Sequence, residues 1–275
     1  MAGAVGTHAA IGAKGPQVQA NVARHLGMNP MRVPTRNVLD QFADHLWSIA
    51  MLAAAGAKIS RDVMTMMQTE FGETIEPAPP GSIGSSTMPQ KRNPKLTYDV
   101  LELCAQIRSV IPMALESLIH PHEADGSATA LLDEALRSSL IQLGDLLVRL
   151  RGLLRGVQID RARMLENLNA GGGLICAEAV MIELASTLGR QRAHQLVHQA
   201  ATDAVTDARS FRDTLLSIEE ISAAVTAEQL GELLDPRRHV GLSAELATEM
   251  TAVARRRADE LQSSSSGLGG VRPTG

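Results

Sequence analysis

From Arg36 onward the apolar residues Leu39, Phe42, Leu46, Ile49, Ala53, Gly56, Val63 and Met67 recur at spacings of three and four, with one turn missed at Ser60. That period belongs to one face of an α-helix and predicts a single helix reaching about Glu70, with Thr35 as its N-cap after Pro34. Globular helices usually run to roughly 8–20 residues, so a helix of this length points to a bundle. A second stripe runs through Leu96, Val100, Leu103, Ile107, Val110, Ala114 and Leu118, opened by Pro94 near its first turn. A third extends from about Leu131 to Leu154 by way of Leu136, Leu143, Leu147 and Leu150. Each of the three is too apolar to stand alone and needs partners to cover it, some of them from other subunits. After Gly156 the pattern shortens and breakers become frequent: helices are predicted over 160–169, 178–188, 191–208, 227–234 and 243–262. The expected fold class is therefore all-α: a long-helix bundle over 1–157, a smaller helical C-terminal domain over 158–262, and a disordered Ser/Gly-rich tail over 263–275.

Composition narrows this reading. Trp47, Tyr98, Phe42, Phe71 and Phe211 are the five aromatic residues among 275, so the core must be aliphatic. Sandwiches and barrels fill their pleated surfaces with β-branched and aromatic side chains, whereas Ala, Leu and Met favour helix. Twenty-six basic and 30 acidic side chains give a net charge of −4, which offers no basic footprint for a nucleic acid. Cys104 and Cys176 lie outside any C-x-x-C spacing, and no run of about 18 apolar residues occurs. A cytoplasmic protein with no membrane segment is expected.

Between the first two long helices lies EPAPPGSIGSSTMPQKRNPK, residues 76–95, polar and rich in Gly, Ser and Pro. Connections in compact domains have a median of about 4–6 residues, so this length suits a binding loop, although a solvated connector fits the composition equally well. Gly81 and Gly84 permit unusual backbone angles, the hydroxyls of Ser85 and Ser86 are candidate acid–base groups, and Lys91 with Asn93 offers a cation and an amide. The set suits an anionic intermediate. A Walker-type phosphate loop needs Gly directly before its Lys, where Gln90 stands.

The run GSSTMPQKRNP at 84–94 closely resembles the signature loop of the fumarase/aspartase superfamily, GSSxMPxKxNP, at every fixed position. The resemblance extends from AGAVGT at 2–7 through TEFGE at 69–73 to GGLICAEAV at 172–180 and GRQRAH at 189–194. It is greatest for the branch that holds adenylosuccinate lyase and 3-carboxy-cis,cis-muconate cycloisomerase. What it implies is a β-elimination, or its reverse, on a small dicarboxylate-type substrate, without metal or cofactor. Taking a proton next to a carboxylate creates a doubly charged aci-carboxylate, which requires a base at the carbon and fixed donors at the oxygens. By resemblance Ser85 is that base, ionised by loop N–H donors or helix dipoles. Lys91 and Asn93 hold the carboxylate, Ser86, Thr87 and Met88 shape the loop, and Arg36 and Gln68 contact the substrate.

Some of the pattern departs from the family. Its general acid is a histidine in a segment upstream of the AGAVGT run, and its sites form where three regions from three subunits of a homotetramer meet. The expectation is accordingly a truncated or split lyase polypeptide, without turnover alone, that works as a homo-oligomer or with an N-terminal half. The alternative is a non-catalytic assembly subunit with the same bundle. His120, His122 and Glu123 are too few for a structural zinc site, which takes four ligands, and fit a place at a pocket rim. The paired serines Ser138 and Ser139, which in adenylosuccinate lyases sit between phosphate-binding arginines, have Asp133 and Gln142 near those positions.

Overall fold

The computed structural model describes residues 3–33, 38–78, 87–88 and 91–266. Its elements are α1 (Gly15–His25), α2 (Asp40–Met66), β1 (Thr74–Ile75), α3 (Lys95–Ser109), α4 (Ile111–Glu116), α5 (Gly126–Gly156), β2 (Gln158–Ile159), α6 (Arg161–Asn169), α7 (Ala177–Leu188), α8 (Arg190–Thr206), α9 (Phe211–Ser217), α10 (Glu219–Ala224), α11 (Ala227–Leu233) and α12 (Ser243–Ser266). The all-α expectation holds, the described strands being one two-residue antiparallel pair, Thr74 opposite Ile159 and Ile75 opposite Gln158.

The chain divides into two compact units, Met1–Arg161 and Ala162–Gly275. The division falls beyond the expected 157/158 boundary because β2 pairs with β1 and so stays with the first unit.

In the first unit α2, α3 and α5 pack around Ile49, Ala53, Ala57, Val100, Cys104, Ile107 and Leu146. A second cluster joins Leu46, Val110, Ala114, Leu132 and Ala135. Ser60, the missed turn in the apolar stripe, is buried with the rest of that face, and its hydroxyl has no partner among the described residues. Gly56 is where the three helices approach closely: a Cβ there would lie 3.3 Å from Leu150 Cδ2 and 3.4 Å from Cys104 Sγ. Phe211, in the second unit, is the one buried aromatic residue; Phe42, Trp47, Phe71 and Tyr98 are all exposed. Its neighbours Val180, Leu184, Leu196, Val197, Leu215, Ile221 and Leu230 complete an aliphatic core.

Several helix ends differ from those the pattern predicts, each for a local reason. The first long helix begins at Asp40 with Leu39 as N-cap, not at Arg36 after Thr35, and residues 34–37 lie outside the described residues. It stops before Glu70 because Gly72, at φ +64°, turns the chain so that its N–H bonds the Gln68 carbonyl at 2.7 Å. The second stripe breaks at Val110, since Pro112 lacks the N–H that would bond the Arg108 carbonyl; α4 restarts around that proline. The third starts at Gly126, five residues early, because the Asp125 side chain accepts from Ala128 N at 2.9 Å. At the C-terminus α12 continues through Ser266 rather than ending at Gln262, so the expected tail over 263–275 begins with helix; its remainder, 267–275, lies outside the described residues. The short helices α1, α9 and α10 were not anticipated by the apolar pattern.

Candidate active site

The signature loop begins and ends where the three long helices of the first unit meet. Its entry is tied to two of them. Thr74 Oγ1 donates to the Val63 carbonyl of α2 at 3.2 Å, and Asp160 N donates to the Glu73 carbonyl at 2.9 Å, extending the β1–β2 ladder that follows α5. Pro77 rests on Gly156, the last residue of α5, where a Cβ would come within 2.5 Å of the proline Cβ.

Its exit is the first turn of α3, where Pro94 occupies the N-cap and offers no side-chain acceptor. The cap comes instead from Glu76. Its Oε1 accepts from Leu96 N at 3.0 Å, and its Oε2 accepts from Thr97 N at 2.9 Å and from Thr97 Oγ1 at 2.7 Å. Both residues are buried. Glu76 was not singled out by the sequence reading; an acid at the mouth of a loop that leads into an uncapped helix is the signal that could have found it.

Of the residues expected in the site, Lys91 is exposed and its N–H donates to the Met88 carbonyl at 3.1 Å. Asn93 is half-buried, and its carbonyl accepts from Lys95 N at 2.9 Å. Gln68 is exposed at the end of α2, where its carbonyl accepts from Phe71 N and Gly72 N. Ser85, Ser86 and Arg36 lie outside the described residues.

His120 is partly enclosed. Its Nδ1 accepts from Asp125 N at 3.3 Å, and its Nε2 is buried without a partner among the described residues. His122 is exposed with φ +59°. No group of three or more His, Cys, Asp or Glu residues capable of holding a metal occurs among the described residues. The serine pair on α5 spends its hydroxyls on the helix itself: Ser138 Oγ donates to the Glu134 carbonyl at 2.8 Å and Ser139 Oγ to the Leu136 carbonyl at 3.1 Å. Burial pushes the Cys104 and Cys176 thiols above their ordinary range, away from thiolate chemistry.

Two family descriptions match the chain: Lyase over residues 1–109 and Adenylosuccinate lyase C-terminus over residues 173–250. The solved structure of 3-carboxy-cis,cis-muconate lactonizing enzyme from Pseudomonas putida superposes with a TM-score of 0.84 at 31% identity, over 93% of this chain and 57% of that one. The chain belongs to the fumarase/aspartase superfamily. Within it, N-acetyl-S-(2-succino)cysteine lyase from Dickeya dadantii is 32% identical over 92% of this chain and 56% of that protein. Adenylosuccinate lyase from Methanocaldococcus jannaschii is 33% identical over 91% of this chain and 55% of its own length. The chain thus spans about half the length of the curated relatives it matches. These superfamily members are lyases and cycloisomerases, and no single described helix of this chain is long and apolar enough to cross a membrane.

Proposed function

We propose that the chain supplies the proton-abstracting loop of a lyase acting on a small carboxylate-bearing substrate. The observation that supports this most is the complete GSSTMPQKRNP run, whose flanking segments are fastened to one another at the junction of α2, α3 and α5. In this reading the Ser85 alkoxide takes the proton from the carbon next to a carboxylate. The C–H electron pair passes into that carboxylate, and Lys91 and Asn93 hold the resulting aci-carboxylate. Collapse then forms a carbon–carbon double bond as the electron pair of the bond at the neighbouring carbon leaves with nitrogen, oxygen or sulfur. Ser86, Gln68 and Arg36 complete the substrate contacts, and no metal or cofactor takes part.

Two relatives carry the names of succinyl adducts, of cysteine and of an adenine nucleotide, and a third that of a carboxymuconate. The reaction class proposed for this chain is a β-elimination, or its reverse, next to a carboxylate, with an unsaturated dicarboxylate as the product of the elimination. The protein is proposed to work in the cytoplasm as a homo-oligomer, with apolar α5 side chains such as Ile141 and Val148, 70% and 71% exposed, covered in the assembly.

The test follows ultraviolet absorbance of a conjugated dicarboxylate product. It uses the chain alone and the chain mixed with a separate polypeptide corresponding to the region that precedes the match in its longer relatives. Turnover is expected in the mixture, and Ser85→Ala is expected to lower it by roughly 10²–10⁴-fold with helicity unchanged. Full activity in Ser85→Ala would remove Ser85 from the role of base.

A further inference from the structure

The Glu76 contact does more than finish a helix. The first turn of α3 leaves the N–H groups of Leu96 and Thr97 without intrahelical acceptors, as every helix start does. A local Ser, Thr or Asp ordinarily answers them, but here the cap position is Pro94. The acceptor is brought from twenty and twenty-one positions earlier, across the whole of the signature loop. A buried carboxylate is costly unless its lone pairs are met. Glu76 meets three donors at 2.7–3.0 Å and lies against the positive end of a fifteen-residue helix, the combination that makes a charge-assisted contact strong.

Its own backbone is held from the other side. Glu73 and Thr74 are tied to Asp160 and Val63, and Pro77 has no room to move toward α5 past Gly156. The two ends of the loop are therefore fastened to each other by one side chain, and to α2 and α5 by the segments next to it.

We propose that Glu76 is a positioning residue: its carboxylate fixes the separation of the loop's two ends and so sets where Lys91 and Asn93 are presented to a substrate carboxylate. This rests on the lyase reading for its purpose, but the clamp itself is testable without turnover. A merely structural cap would stabilise α3 along with the rest of the first unit. A positioning clamp restrains the segment just ahead of α3 selectively.

The experiment uses the full chain and native-state trypsin, whose cleavage after Lys91 and Arg92 reports opening at the loop exit while cleavage at arginines of the long helices, such as Arg149, reports unfolding of the unit. Hydrogen bonds to a charged group are worth enough that losing them opens a segment by roughly tenfold or more. Glu76→Ala is expected to raise cleavage after Lys91 and Arg92 by about that factor with cleavage after Arg149 unchanged. Thr97→Val, which keeps both backbone bonds, and Glu76→Gln, which keeps the size but loses the charge, are expected to give smaller local rises. If Glu76→Ala does not fold, these two milder variants decide the matter. Unchanged cleavage after Lys91 and Arg92 in a folded variant, or an equal rise at all arginines, overturns the proposal.

Where the absorbance assay shows turnover, Glu76→Gln is expected to lower kcat more than it raises KM, because the reacting groups lose their placement. An unaltered kcat beside a local rise in cleavage overturns the positioning role. Absence of turnover in the parent mixture counts against the lyase reading alone, since the cleavage pattern still judges the clamp.

Discussion

His8 is the residue under the most evident backbone constraint. It holds φ +55°, is buried, and its ring fills the place a Cβ on Gly15 would take, with Cγ and Nδ1 2.4 Å from that position. A non-glycine residue at positive φ persists when its surroundings hold it there. Gly15→Ala is therefore expected to destabilise the first unit by about 1–3 kcal/mol, the range for overpacking, read as a lower urea midpoint. In the second unit Asp235 caps a short turn: its carboxylate accepts from Arg237 N at 3.0 Å and pairs with the Arg237 guanidinium at 2.8 Å. That hydrogen-bonded arginine holds the Asp235 carboxyl down at about 2, from an ordinary 3.8. A depressed acid stabilises the fold fully above its ordinary value and loses that contribution as the pH falls through the depressed one. The stability gap between the parent and Asp235→Asn is expected to be constant above the ordinary value of 3.8 and to close as the pH approaches about 2, followed by chemical denaturation across acid pH.

At the scale of elements, the interiors of the helices were legible and their ends were not. The aliphatic three-and-four spacing identifies α2, α3, α5, α7 and α8 because each buries one face against a neighbour. The ends depend on groups the local pattern does not contain: the proline that divides α3 from α4, the glycine after α2, and the distant Glu76 before α3. Helices of six or seven residues, such as α9 and α10, show too few apolar repeats for the period to emerge. The start of α5 depends on Asp125, whose carboxylate bonds the Ser127 hydroxyl and the Ala128 N–H, contacts that hold it below its usual range. Asp125→Ala is expected to fray the first turn of α5, seen as faster amide exchange at Ala128 and Thr129 near neutral pH, while Asp125→Asn retains most of the protection. Because the carboxyl is depressed, the parent is expected to lose this protection only when acid drops below the usual aspartate range.

For the molecule as a whole, the sequence disclosed the family through its loop, but not how that loop is mounted. Lys91 and Asn93 are expected from the sequence as chemistry; Glu76, Gly156 and the β1–β2 pair, at the ends of the loop, carry no catalytic signature and emerge only from contacts between residues far apart in the chain. The apolar residues Leu140, Ile141, Leu147, Val148 and Leu154 are exposed on α5, and Trp47, Met51 and Ile59 on α2. Replacing Val148 by Glu is expected to shift the protein to a smaller species in sedimentation velocity while its helicity is retained; an unchanged mass would place the assembly surface elsewhere. The short ladder between Thr74–Ile75 and Gln158–Ile159 also sets an order of events during biosynthesis. A ribosome delivers Glu76 and Thr97 close together in time, so the clamp can form on a nascent helical hairpin. The second strand emerges only after all of α5 has been made. The ladder at the loop's entry is thus the last part of the first unit to be completed, and a chain arrested within α5 would carry the clamp without that ladder.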